Sequence, residues 1–160
     1  MLNIKKIAGV DEVGRGCLAG PVFAAAVILN NNISTKGIKD SKKISFKNRM
    51  LLSKYIKKNS TFAIAFASVE EIDKLNILNA SLLSMKRALN KLKQKPSMIY
   101  IDGIFAPKNL KIKYKTFIKG DEKIISIAAA SIVAKATRDQ FMIKLGKNFP
   151  EYKWNKNFGY

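Results

Sequence analysis

A short apolar run at residues 21–29, PVFAAAVIL, limits the folds open to this chain more than any other feature. It has the length of a β-strand, and it lacks the polar alternation of a strand that faces water on one side. We therefore expect this strand to be buried on both faces of its sheet. The length of the chain and a hydrophobic content of 48% allow one compact domain, 1–160, with a core of its own.

Strand and helix patterns alternate along the rest of the chain, without an internal repeat or a linker. A capping box at 68–71 predicts the start of a helix, and Pro150 predicts the end of the last long one. We predict further strands at 5–13, 61–67, 98–101 and 114–118, helices at 45–58, from 68, from 75 to about 92 and at 124–145, and loops at 30–44 and 151–160.

Two adjacent carboxylates, Asp11 and Glu12, close the first strand and lead directly into Gly14-Arg15-Gly16. Oxygen ligands suit Mg²⁺ or Mn²⁺, glycines let the backbone approach a ligand, and arginine supplies a planar set of donors. The segment is typical of a catalytic site that holds a metal ion beside a phosphate or a sugar. The alternative is a solvated pair of acids at a strand end. Asp102 and Asp121 also follow predicted strands.

Charge and composition narrow the chemistry further. The chain has 30 Lys+Arg against 11 Asp+Glu, a net charge of +19, which favours a nucleic-acid partner, although AT-rich coding also enriches lysine. The absence of histidine excludes His-ligated zinc and histidine-based acid–base chemistry, and the single cysteine excludes an internal disulfide. No leader-like segment and no apolar run long enough to span a bilayer is present, so we expect a cytoplasmic, monomeric protein without a membrane partner.

Several motifs in fixed order carry a resemblance that covers nearly the whole chain. They are AGVDEVGRG at 8–16, DSKK at 40–43, NIL at 76–78, IDG at 101–103, and KGD followed by SIAAASIVAKATRD at 119–139. Together they resemble the type 2 ribonuclease H (ribonuclease HII) family. The resemblance implies an α/β ribonuclease H-like fold, with a mixed β-sheet flanked by α-helices. It also implies cleavage of RNA within RNA–DNA hybrids and 5′ to ribonucleotides embedded in duplex DNA.

The resemblance also implies roles for particular residues. The four family carboxylates fall on Asp11, Glu12, Asp102 and Asp121, which would hold two Mg²⁺ or Mn²⁺ ions about 4 Å apart. The turn formed by Gly14, Arg15 and Gly16 matches the family's sensor of the ribose 2′-hydroxyl, and Tyr160 matches a tyrosine that stacks beside the sugar.

Other residues keep two interpretations at this stage. Ser41, Lys42 and Lys43 either contact phosphate or form a solvated turn. Arg138 and Asp139 are interpreted as structural, on the helix surface or as a buried pair. Trp154 and Phe158 either stack on bases or pack within a loop.

The end of the chain departs from the family pattern, because family members usually continue for several tens of residues beyond the position of Tyr160. We therefore expect a domain that is C-terminally truncated relative to the family, with intact metal binding and weakened hybrid binding. One alternative is a nucleic-acid-binding module of the same fold with little or no turnover. Another is a different metal nuclease of this broad fold, such as a junction resolvase or a type 1 ribonuclease H.

Overall fold

The computed structural model describes residues 6–38 and 44–160. Within these ranges the chain forms five strands, five helices and one 3₁₀ turn. The strands are β1 (Ile7–Val13), β2 (Val22–Leu29), β3 (Ser60–Ala67), β4 (Met98–Asp102) and β5 (Tyr114–Phe117), the helices are α1 (Phe46–Lys58), α2 (Val69–Lys91), α3 (Gly120–Lys123), α4 (Ile125–Asn148) and α5 (Trp154–Asn157), and the 3₁₀ turn is Pro150–Tyr152.

The five strands form one mixed sheet in the order β3-β2-β1-β4-β5. β2 runs antiparallel to both β1 and β3, whereas β4 runs parallel to β1 and β5. Because β1 and β4 are parallel neighbours, their carboxyl ends lie at the same edge of the sheet, where such folds place ligands. The acidic residues at the ends of these two strands are thereby brought to one edge.

The sheet is buried on both faces, as the apolar run at 21–29 predicts. Alternate residues of β1 and β2 pack under α2, among them Val10 and Ala26. The intervening residues Ala25 and Val27 pack under α4 and α1. This alternation follows from the two-residue period of a strand. Every residue of β2 except Leu29 is buried.

Helix α4 lies unusually close to β1, and a glycine makes that approach possible. A Cβ atom placed on Gly9 would lie 2.0 Å from the carbonyl carbon of Ser126 and 2.3 Å from the nitrogen of Ile127. No side chain fits between the strand and the helix at this point. The small residues of α4, Ala128 to Ala130, continue the close packing and are buried.

Most element boundaries agree with the sequence predictions within a few residues, and two regions differ. The backbone of α2 breaks at Asn76, whose φ is 67° and ψ 164°, so the predicted junction of two helices is confirmed. The predicted turn at 119–121 extends into the short helix α3, and the predicted final loop contains the 3₁₀ turn and α5. The capping box at Ser68 and Glu71 is confirmed. No helix in residues 6–38 and 44–160 is long and apolar enough to cross a membrane.

Candidate active site

Strand β1 directs its two terminal carboxylates to opposite faces of the sheet. Asp11 points toward α4, where it is only 6% exposed and accepts a hydrogen bond from the Ser131 hydroxyl. Glu12 points to the other face and lines a cleft of about 230 Å³ between the sheet edge and α2. The pair therefore reaches both sides of the same strand end, which adjacent residues of a strand do by geometry.

Asp102 ends β4 beside them and is tied to the next acidic residue along the sequence. Its Oδ1 accepts a hydrogen bond of 2.6 Å from the backbone N–H of Gly120, the first residue of α3. Lys119 precedes that helix in the left-handed conformation, with φ of 52°. The tight turn places Asp121 close enough for its charge to act on Asp102. Asp102 lines the same cleft as Glu12.

Burial and mutual repulsion disfavour negative charge at this site. Burial raises the pKa of Asp11 well above its usual range, and the charges of Glu12 and Asp102 raise it further. Burial also raises the pKa of Glu12, although the Arg15 guanidinium opposes that shift. Burial raises the pKa of Asp102, and the N–H of Gly120 partly offsets it. A bound cation relieves such repulsion.

The donor chemistry fits a hard divalent cation, because every candidate ligand is a carboxylate oxygen. The type of ligand fits, but the positions of the side chains do not. Across residues 6–38 and 44–160, no three acidic or cysteine side chains are grouped closely enough to hold a metal ion. The charges of Glu12 and Asp102 do raise the pKa of Asp11, and the charge of Asp102 raises the pKa of Glu12. To hold one metal ion together, these side chains would have to approach one another.

The turn after β1 uses its two glycines differently. Gly14 has φ of 116°, and a Cβ there would lie 2.9 Å from Nε of Arg138, so the fold itself requires glycine. A Cβ on Gly16 would have nothing within 4 Å. Between them, Arg15 is about half-exposed and its Nη1 lies 3.4 Å from Oε1 of Glu12. The arginine is therefore held at the carboxylates with its remaining donors open to solvent.

The residues around Tyr160 dock onto the same turn. The carbonyl oxygen of Gly159 accepts hydrogen bonds from the N–H groups of Leu18 at 2.8 Å and Ala19 at 3.2 Å. The Tyr160 ring is 56% exposed, and its hydroxyl lies 3.2 Å from Nζ of Lys135. Tyr160 and the Gly-Arg-Gly turn thus lie on one surface.

Arg138 is fully buried beneath the surface that carries Tyr160 and the Gly-Arg-Gly turn. Its guanidinium donates to the carbonyl oxygens of Pro21 at 3.0 Å, Ala19 at 2.7 Å and Phe158 at 2.7 Å. The sequence interpretation of Arg138 as structural is confirmed. No sequence signal could have found the three carbonyl partners, because they come from segments distant along the chain.

Asp139 is also fully buried, but it does not pair with its neighbour Arg138. Its two carboxylate oxygens lie 3.0 Å from Nζ of Lys135 and 3.6 Å from Nη2 of Arg49. Both residues are buried, so the helix-surface alternative is wrong. They do not pair with each other either, since consecutive helix residues point in different directions. Lys135 connects the buried Asp139 to the exposed Tyr160, a link that the sequence analysis missed.

Trp154 and Phe158, for which the sequence left two interpretations, both pack against other residues of the chain. The Trp154 ring stacks on Tyr152, with ring centroids 4.8 Å apart, and Phe158 stacks on Phe46 at 5.9 Å. These contacts favour the packing interpretation over base stacking. Ser41, Lys42 and Lys43 lie outside the residues that the structure describes.

The sequence as a whole matches the family model of ribonuclease HII over residues 8–160. A ribonuclease HII from Pelagibacter ubique is 60% identical over 159 residues, which cover 98% of this chain and 84% of that protein. The chain belongs to the ribonuclease HII family. This membership confirms the resemblance that the motifs carry.

Solved structures agree with the ribonuclease HII assignment at the level of the fold. The crystal structure of ribonuclease H2 from Pyrococcus horikoshii is similar, with a TM-score of 0.81 and 28% identity, and the match covers 92% of this chain and 78% of that one. Bst ribonuclease HIII in complex with Mn²⁺ has a TM-score of 0.78 at 22% identity over 92% of this chain and 56% of that one, which shows a shared fold. The predicted mixed sheet flanked by helices is confirmed.

Proposed function

We propose that this chain is an endoribonuclease that hydrolyses the RNA strand of RNA–DNA hybrids and cuts 5′ to single ribonucleotides in duplex DNA. The observation that carries the proposal is the convergence of Asp11, Glu12 and Asp102 at one sheet edge, in a chain of the ribonuclease HII family. The family match and the retained carboxylates disfavour the alternative of a binding module without turnover.

We assign the metal-ligand role to Asp11, Glu12, Asp102 and Asp121, with Mg²⁺ or Mn²⁺ and two ions when substrate is bound. Bound ions would supply a nucleophilic hydroxide from water and stabilise the oxygen that leaves phosphorus. The carboxylates lie at one edge of the sheet, where the scissile phosphate would bind. Water adds to phosphorus, the bond from phosphorus to the 3′-oxygen breaks, and that oxygen takes up a proton. The products are a 3′-hydroxyl and a 5′-phosphate.

The Gly-Arg-Gly turn selects ribose in this proposal. Gly16 supports this assignment. Nothing in the fold fills the space around Gly16, so packing does not require a glycine there, whereas a ligand that approaches closely would. Arg15 is held beside Glu12, next to the carboxylates, with donors that can reach a sugar or phosphate oxygen. A 2′-hydroxyl is the group that separates RNA from DNA at such a site. Tyr160 lies on the same surface and is assigned to the adjoining sugar.

The net charge of +19 supports binding to the nucleic-acid backbone. We assign phosphate contacts to Ser41, Lys42 and Lys43 on the sequence motif alone. A monomeric state, a cytoplasmic location and a role in replication and repair stay predictions from the sequence.

A scan of substrates tests the proposed activity. Labelled duplexes carry one ribonucleotide, a run of ribonucleotides or none, and the cut position is mapped on a sequencing gel. We expect metal-dependent cleavage of the first two at the 5′ side of a ribonucleotide, and none of all-DNA duplex. Cleavage that requires a run of ribonucleotides would favour type 1 behaviour, and cleavage of all-DNA duplex would contradict the proposal.

A further inference from the structure

Leu18 is the most exposed large apolar side chain among the described residues, at 93%. A single exposed leucine is ordinary on a protein surface and needs no explanation by itself. What distinguishes Leu18 is its backbone, which is fixed on both sides, and its position at the end of the turn that carries Arg15. It is an apolar side chain held out into solvent by a rigid support.

The support is a set of backbone hydrogen bonds. The N–H of Leu18 donates to the Gly159 carbonyl oxygen at 2.8 Å, and the N–H of Cys17 donates to the Gly14 carbonyl oxygen at 3.3 Å. The carbonyl oxygen of the next residue, Ala19, accepts from the buried Arg138 guanidinium at 2.7 Å. These bonds hold the backbone of Leu18 in place, and with it the direction of the Cα–Cβ bond toward solvent.

The neighbours of Leu18 indicate what covers it. Arg15 lies three residues earlier in the same turn, and Tyr160 follows the glycine that binds the Leu18 backbone. Arg15 is assigned above to the turn that selects ribose, and Tyr160 to the adjoining sugar. In a hybrid duplex the 2′-hydroxyl groups line the wide, shallow minor groove, where the carbon faces of the sugars are also accessible. A surface that reads a 2′-hydroxyl must therefore face the minor groove.

We propose that the Leu18 side chain is a substrate contact that packs against sugar carbon atoms in the minor groove of the bound duplex. This inference rests on the proposed function and adds an apolar contact to a site otherwise made of charged and polar groups. Other minor-groove-binding proteins also place apolar side chains in this groove, there as wedges between base steps. The contact contributes affinity that does not depend on salt, because leucine displaces no counterion.

The test measures binding of a fluorescent hybrid duplex to Leu18→Asn, Leu18→Met and wild type, all in an Asp11→Asn background that prevents cleavage. Asparagine is close to leucine in size but polar, and methionine keeps an apolar side chain. Leu51→Ala, on α1 and 59% exposed, is the matched control. We expect Leu18→Asn to bind about tenfold more weakly, with an unchanged slope of log K against log salt. Leu18→Met and Leu51→Ala bind as the parent does.

Three results would overturn the inference. The first is equal binding by Leu18→Asn and Leu51→Ala. The second is a weaker salt dependence in Leu18→Asn, which would trace the loss to a displaced Arg15. The third is a dimer of the wild type, seen by sedimentation, that Leu18→Asn dissociates, since Leu18 would then be covered by a second copy of the chain. Failure of the wild-type chain to cleave the hybrid would instead contradict the proposed function itself.

Discussion

Replacing Gly9 with alanine tests whether the close approach of β1 and α4 holds the active site together. The new methyl group would lie 2.0 Å from the carbonyl carbon of Ser126, whereas ordinary contact begins at 3.4 Å. The atoms in the way are backbone, so no side chain can rotate aside. α4 must therefore withdraw from the strand by about 1.4 Å.

Withdrawal on this scale affects the whole interface under α4. A gap of about 0.5–1 Å already forfeits a quarter to a half of the dispersion energy of each contact. The contacts at risk include the buried residues Ala129 and Val133. Overpacking a core usually costs about 1–3 kcal/mol. Because this clash involves backbone on both sides, we expect a loss of about 3 kcal/mol or more, which lowers Tm by about 6–12 °C in a chain of this size.

Urea unfolding followed by circular dichroism measures the effect, with Gly16→Ala as the matched control. A Cβ on Gly16 meets nothing within 4 Å, so that variant should unfold within about 0.5 kcal/mol of wild type. Gly9→Ala should also lose activity, because α4 carries Ser131, which donates to Asp11. A loss of stability below about 1 kcal/mol in Gly9→Ala would refute the packing argument.

Three further predictions follow from other contacts. Arg138→Met leaves three carbonyl oxygens, one buried and two partly buried, without this donor and should cost about 3 kcal/mol or more in urea unfolding; a loss within experimental error would contradict this. Gly16→Ala should retain stability but lose about a hundredfold in cleavage rate, because a methyl group holds the ribose away; unchanged cleavage would remove Gly16 from the substrate site. Arg87 holds the pKa of Glu71 down to about 2, so the stability advantage of wild type over Glu71→Gln should be complete above pH 4.5 and disappear as pH falls towards 2. A pH-independent difference in unfolding free energy would contradict the last prediction.

Much of the fold could be predicted from local patterns. The run at 21–29 lacks polar alternation, and the structure buries it on both faces. The capping box at Ser68 marks the helix start correctly, because both of its hydrogen bonds are local. The strand ends that carry Asp11 and Asp102 were also evident, since acidic residues directly follow apolar runs. These features depend on residues that are close together in the sequence, so the sequence alone is enough to predict them.

The parts that could not be predicted depend on residues distant along the chain. Arg138 is satisfied by carbonyl groups of Ala19, Pro21 and Phe158, and backbone acceptors leave no trace in a sequence. The opposite directions of Asp11 and Glu12, by contrast, follow from the two-residue period of a strand and are predictable from the sequence.

Cleavage of a duplex with one embedded ribonucleotide tests the central claim most directly. Wild type, Asp11→Asn and the surface control Asp73→Asn are compared with Mg²⁺, with Mn²⁺ and with a chelator. The account predicts a cut on the 5′ side of the ribonucleotide that requires a divalent ion, is lost in Asp11→Asn and persists in Asp73→Asn. A metal-independent cut, or an Asp11→Asn variant as active as wild type, would contradict it.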